Sequence, residues 1–236
     1  MPQAPVLQLP THDTLLKFNP DTTPREFKGN TVICHLPIQC ATRDAMFALH
    51  EELLAAPYRH KLGLTAPESY HMTVFPGAND QDRQVTGWPS YVPLDASIET
   101  CNRMVGERMA ELRLDCELPF RVRVNLDATL HYSLACTMRL VPADAAENTK
   151  LRSVRDRLAT TYGFRTSDHD SYEFHMTMSY QLKSFTASEE AAYRKLLKSY
   201  VPRIIAAAPV IEFGVPEYCT FPSMNRFDTQ RLLRCS

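Results

Sequence analysis

The sequence predicts an α+β fold built on antiparallel pairing, and three observations carry that prediction. Strand-like and helix-like periods alternate along the chain. The connections between them are uneven and hairpin-like pairs intrude, unlike the regular units of a doubly wound sheet. The third observation is a repetition: "YHMTVF" at residues 70–75 and "FHMTMS" at residues 174–179 are nearly the same strand written twice.

Residues 1–28 are proline-rich and show no sustained period, which predicts an extended N-terminal arm lying on a single bilobal domain of residues 29–236. "GNTVICHLP" (29–37) reads as a strand, β-branched at its centre and closed by Pro37. From Thr42, taken as an N-cap, Met46, Leu49, Leu53 and Leu54 recur at helical spacing until Pro57. "SYHMTVFPG" is a short strand ended by Pro76 and Gly77, and a polar loop follows it. Ile98, Cys101, Val105, Met109 and Leu112 then form one face of an amphipathic helix.

Between 120 and 141 two antiparallel strands are expected around a turn near Asp127. Arg121, Arg123 and Asn125 alternate there with Val122, Val124 and Leu126, so the arginines face either solvent or a cleft. Leu151, Val154, Leu158 and Tyr162 predict a helix ended by Gly163. "SYEFHMTMSYQL" is the next strand, followed by a helix capped by Ser188, with Ala192, Leu196 and Tyr200 on one face and Pro202 just beyond its end. "PVIEFGVPEYCTF" supplies one or two closing strands.

Composition bounds the function classes. A chain of 236 residues buries roughly 70 to 75% of its unfolded surface, enough for a substantial core. The net charge of −1 gives no reason to expect a long nucleic acid as partner. Cys34, Cys40, Cys101, Cys116, Cys136, Cys219 and Cys235 are scattered, which argues for reduced thiols rather than a disulfide framework or a zinc ribbon. No charged-then-apolar leader and no apolar run of about 18 residues is visible, so a soluble, cytoplasmic monomer without a membrane partner is expected.

The repeated triplet is where the chemistry lies. On a strand His71 and Thr73 project from one face while Tyr70, Met72 and Val74 project from the other. His175 and Thr177 repeat that parity above Phe174, Met176 and Met178, which points to two pseudo-symmetric lobes of antiparallel sheet with flanking helices around a central cleft. Imidazole titrates near 6.5, so one ring can take a proton from an attacking hydroxyl or water while the other gives one to a departing oxygen. The threonine hydroxyls would donate to the non-bridging oxygens of a phosphoryl group.

Together with "FKGNTVICHLP", these two motifs resemble the signature of the 2H phosphoesterase superfamily, which includes RNA cyclic phosphodiesterases and 2′-5′ RNA ligase-like proteins. The likeness is to a bacterial and fungal branch and spans residues 28–220. It implies a hydrolase acting on a cyclic phosphate or phosphodiester of a small nucleotide or an RNA end, with no cofactor and no metal, the ligase direction remaining open. It also implies His71 and His175 as general acid and base, and Thr73 and Thr177 as phosphate-binding residues. Relatives that act on RNA ends often carry an arginine five positions after the second histidine, where this chain has Tyr180. A phenol can hydrogen-bond a phosphate without pairing with its charge, so Tyr180 is a candidate substrate-binding residue. The alternative is a non-catalytic module that holds a nucleotide or RNA end in the same cleft.

Other residues weigh less. His35 reads as a partly buried structural histidine, His131 as solvated, and "SDHD" (167–170) as a turn rather than a metal site. Trp88 and Tyr91 either cover a bound base or anchor their loop.

Overall fold

The computed structural model describes residues 9–81, 83–132 and 136–235, and within them ten strands and six α-helices. The strands form three sheets, all antiparallel. In the first, β1 (Gly29–His35) lies between β3 (His71–Asn79) and β9 (Glu217–Ser223), and β10 (Arg226–Leu232) adds the far edge. In the second, β5 (Thr137–Pro142) lies between β6 (His175–Thr177) and β4 (Phe120–Val124), with β8 (Ile211–Phe213) beyond β4. β2 (Leu62–Leu64) pairs with β7 (Ser179–Gln181) in the third. The α+β class follows from this topology. Each motif strand is the edge of a four-stranded sheet, and β3 packs against β6.

Helices α3 (Ile98–Glu111) and α5 (Ala145–Tyr162) cover the sheets with most of the residues their spacing predicts, whereas Leu54 of α2 (Ala41–Ala55) is exposed and Leu112 falls at the C-cap of α3. Ile98, Cys101, Val105 and Met109 are buried on α3, and Leu151, Val154, Leu158 and Tyr162 on α5. Gly163 ends α5 at φ 74°, a left-handed conformation that a residue with a Cβ resists. With Met46, Leu49 and Leu53 of α2 (Ala41–Ala55), these side chains join Val32, Met72, Phe75, Phe120, Met138 and Met176 in one apolar cluster. Burying each contributes on the order of 1.5–3 kcal/mol. Residues that alternate with this set on β3 and β6 are left on the open side.

Several boundaries differ from the sequence reading. The segment read as an extended arm contains a short helix, α1 (His12–Lys17), capped by the Thr11 side chain; its first eight residues lie outside the described ones. The N-cap of α2 is Cys40, and Thr42 is buried within the first turn. Strand β3 continues through Pro76 and Gly77 to Asn79, because its pairing with β1 shifts register between Gly29 and Thr31, where Pro76 falls. Edge strands and irregular pairing tolerate the missing proline N–H.

The expected turn near Asp127 is instead a six-residue helix, α4 (Leu126–His131), capped by Asn125. "SYEFHMTMSYQL" splits into β6 and β7, since the Cys136 carbonyl accepts from both Met178 N–H and Ser179 N–H, and the chain then turns to a different partner strand. Helix α6 (Ala187–Ala207) is capped by Thr186, not Ser188, in a reciprocal arrangement with Glu189. It also runs through Pro202. Its buried face is Tyr193, Leu197, Val201 and Ile204, displaced by one residue from Ala192, Leu196 and Tyr200, and that packing outweighs the hydrogen bond lost at the proline.

All seven cysteines are free thiols, with Cys34, Cys101, Cys136 and Cys219 buried. Among the described residues no helix is long and apolar enough to cross a membrane.

Candidate active site

Strand alternation exposes the first polar groups. On β3, Met72 and Val74 are buried while His71 and Thr73 are only partly so, and on β6 Met176 is buried between His175 and Thr177. All four polar side chains line one cavity of about 720 Å³, together with Tyr172 and Tyr180. The two motifs, about a hundred residues apart in the chain, therefore meet at one place.

The repetition extends to hydrogen bonds. His71 Nδ1 lies 2.6 Å from the Ser69 carbonyl and His175 Nδ1 lies 2.9 Å from the Glu173 carbonyl, in each case two residues back. A carbonyl only accepts, so Nδ1 carries the proton of each neutral ring and Nε2 keeps the lone pair. Each motif threonine acts on a nearby tyrosine hydroxyl, Thr73 on Tyr172 and Thr177 on Tyr180.

Burial lowers both imidazoles to about 4. For His71 the bond to Ser69 opposes burial, while His35 and His175 lower it further. For His175, burial is followed by the charges of Arg139 and Lys17, with Asp168 opposing them. In the protein alone both rings are thus neutral at pH 7. An anion arriving between them favours protonation of one.

Around His71 the neighbours are rings. Phe227 of β10 packs at 4.3 Å between centroids, and His35 stands 6.4 Å away, edge-on. His35 itself is partly buried and bonded through Nδ1 to Glu217 Oε1 at 3.0 Å. His35, Glu217 and Cys219 bring potential metal-ligand atoms within 4.8 Å of one another, a grouping across two strands that linear spacing does not reveal. In the structure Glu217 is bonded to His35 and Thr229.

Tyr180 has its ring 5.4 Å from Phe18, with Lys17 Nζ 5.1 Å above it. Trp88 proves to be an anchor: it is 2% exposed, and its Nε1 donates to the Val92 and Pro93 carbonyls. Tyr91 packs under Arg108 at 3.5 Å. Arg121 faces outward and pairs with Glu147. His131 is exposed at the end of α4. "SDHD" forms turns, with His169 bonded to Asp156 at 3.0 Å and Asp168 on the cavity wall.

Lys17, Tyr172, Arg139 and Phe227 went unnoticed in the sequence. Tyr172 lies just ahead of the second motif in "SYEFHMT" and was the most findable. Phe227 belongs to a strand whose residues are mostly exposed, which leaves no apolar alternation to detect.

No curated protein matches this chain. A solved structure described as a conserved protein of unknown function from Agrobacterium tumefaciens aligns with 29% identity and a TM-score of 0.86, covering 96% of this chain and 94% of that one. Another, described as a phosphoesterase, aligns with 11% identity and a TM-score of 0.44 over 89% of this chain and 100% of that chain. The family model 2H-phosphodiest, "Domain of unknown function (DUF1868)", matches residues 17–131, a segment that holds the first motif and ends before the second. Residues 17–131 thus match the 2H-phosphodiest family model, and the two His-x-Thr strands line one cavity.

Proposed function

We propose that this chain is a metal-independent phosphoesterase that opens a cyclic phosphate or phosphodiester of a nucleotide or RNA end by paired-histidine acid/base catalysis. The observation that carries this reading is the matched pair of imidazoles on one cavity, each fixed by a carbonyl two residues back so that Nε2 is the acting atom. The two four-stranded sheets act as pseudo-symmetric lobes, and the phosphoryl group lies between their motif strands.

One Nε2 removes the proton of an attacking water or hydroxyl as its oxygen bonds to phosphorus. The other, protonated, gives its proton to the oxygen whose bond to phosphorus breaks. Thr73 and Thr177 donate to the non-bridging oxygens. No step requires a metal ion. Because both rings are neutral in the protein alone, the acid must gain its proton with the anionic substrate, so binding takes up a proton from solution.

That same neutrality favours a second reading, a module that binds a nucleotide or RNA end without turnover. Purified protein assayed with chelator against 2′,3′-cyclic nucleotides, 2′-5′ linked oligonucleotides and short RNAs separates the two. Turnover that His71→Ala and His175→Ala abolish supports the enzyme; binding with no turnover of any of the three classes supports the module.

A further inference from the structure

The one proton gained between the two imidazoles on binding does not neutralise a phosphate dianion, and a partly buried anion is stabilised by a further cation beside it. Among the described residues that line the larger cavity, Lys17 is the one lysine or arginine. A smaller cavity of about 150 Å³ shares Lys17, His175, Thr177 and Tyr180 with it, and adds Arg139. Arg139 already pairs with Glu173.

Lys17 is held in an unusual way for a lysine. Its side chain is only 16% exposed, with Nζ 5.1 Å from the centre of the Tyr180 ring and 5.5 Å from that of Phe27. Holding so flexible a stem costs rotamer entropy. Its one ion-pair partner among the described residues, Asp13 at 2.8 Å, is 64% exposed, so solvent weakens that pair and leaves the ammonium with donors for another acceptor.

The segment that carries Lys17 is docked. Phe18 is fully buried, and its ring comes so near Gly63 that a Cβ there would stand 2.6 Å from it. Arg25 ties the segment back on itself, donating its N–H to the Lys17 carbonyl and Nη1 to that of Leu15. Lys17 also ends α1, where the helix carbonyls favour a positive charge.

We infer that Lys17, delivered by the N-terminal segment, is the cation that holds the substrate's phosphate beside the second motif, so that this segment completes the binding site. The inference rests on the phosphoester reading above and deepens it. The ligand class is a phosphate mono- or dianion of a nucleotide or RNA end, and Tyr180 serves as the platform that positions the ammonium.

The test titrates the intact protein with inorganic phosphate while the imidazole resonances are followed by NMR, in wild type, Lys17→Met, Lys17→Arg and Asp13→Asn. Lys17→Met keeps the apolar stem between Phe27 and Tyr180 and removes the charge. Phosphate affinity is expected to fall roughly 10- to 100-fold in Lys17→Met, to return in Lys17→Arg, and to hold or rise in Asp13→Asn. In Lys17→Met without phosphate the His175 resonance should also titrate at higher pH while His71 is unmoved, since Arg139, Lys17 and Asp168 are the charges acting on His175. Water admitted by lost packing would raise it too, so Lys17→Arg, which restores the charge, is expected to return the His175 titration to its wild-type position. Wild-type affinity in Lys17→Met, or no phosphate binding by wild type, overturns the inference. Lys17-dependent binding without turnover of any phosphoester leaves the inference standing and defeats the enzymatic reading; turnover with an unchanged KM in Lys17→Met does the reverse.

Discussion

His71 and His175 occupy equivalent places with unlike surroundings. Each lies on the edge strand of a four-stranded sheet, each gives Nδ1–H to the carbonyl two residues back, and each stands next but one to a threonine with a tyrosine near it. Yet His71 begins a nine-residue strand and packs against Phe227 and His35, whereas His175 lies on a three-residue strand beside Arg139, its register partner, and within the field of Lys17. The repeated residues leave the lone pair on Nε2 of each ring, the atom that acts in the proposed reaction. Their unrepeated neighbours give the two rings unlike electrostatic surroundings. Cations disfavour the imidazolium, so His175 is the expected proton acceptor and His71 the expected donor once a phosphate is bound.

The largest effect that tests this equivalence is on rate. His71→Ala and His175→Ala should each lower single-turnover rate by about 10² to 10⁴ while leaving ligand affinity nearly unchanged, because each ring contributes mainly in the transition state. If one variant retains wild-type turnover, the motifs are not a catalytic pair.

Next come the hydroxyls. Thr73→Ala and Thr177→Ala should cost on the order of 10-fold to 10³-fold in rate, less than the histidines, since Tyr172 and Tyr180 already stand beside them with hydroxyls of their own. Matched losses keep the two halves equivalent. A loss confined to Thr177, measured in the same assay, would mean that the cationic half alone holds the phosphate.

Parity explains why the four motif residues were legible and much around them was not. Period-two alternation marks His71, Thr73, His175 and Thr177 as the open face of two strands, and helical spacing marks Leu151, Val154, Leu158 and Tyr162 as a buried one. Arg155 shows the limit. Its charge in "SVRDRLA" gives no sign of burial, yet it is fully buried, donates Nη1 to the Val74 carbonyl at 2.7 Å, and lies 3.9 Å from the Tyr172 ring. It braces the strand beneath Thr73, a role that exists only once α5 and β3 have met. Lys17 and Phe227 were hidden likewise: their significance comes from what a short helix and a mostly exposed strand are packed against.

Stability should carry a record of both imidazoles. Each is lowered to about 4 in the folded chain from an ordinary value near 6.5, so the unfolded chain takes up protons first as the solution is acidified. The stability due to these neutral rings is whole above pH 6.5 and is lost between there and about pH 4, on the order of 1–3 kcal/mol for each ring. Denaturant melts at pH 7 and pH 4.5 should show a smaller acid-induced loss in His71→Ala and in His175→Ala than in wild type. Equal losses in all three proteins would mean that the rings are no more buried than free histidine.

The smallest expected effect is the one that separates the two sites most directly. Arg139 lies across from His175 in the β5–β6 register, pairs with Glu173, and has its guanidinium 5.0 Å from the Tyr132 ring. After burial it is the foremost influence that lowers His175, and it is absent from the influences acting on His71. Arg139→Gln keeps a polar side chain of similar reach and removes the charge. The His175 titration followed by NMR should therefore move up by a few tenths to about one pH unit, with His71 within error of wild type. Any base role for His175 would follow the same shift, raising the acid limb of the pH–rate profile by a like amount. If both rings move together, the cation acts on the whole cavity, and the division of roles by local charge gives way to a coupled pair that shares one proton.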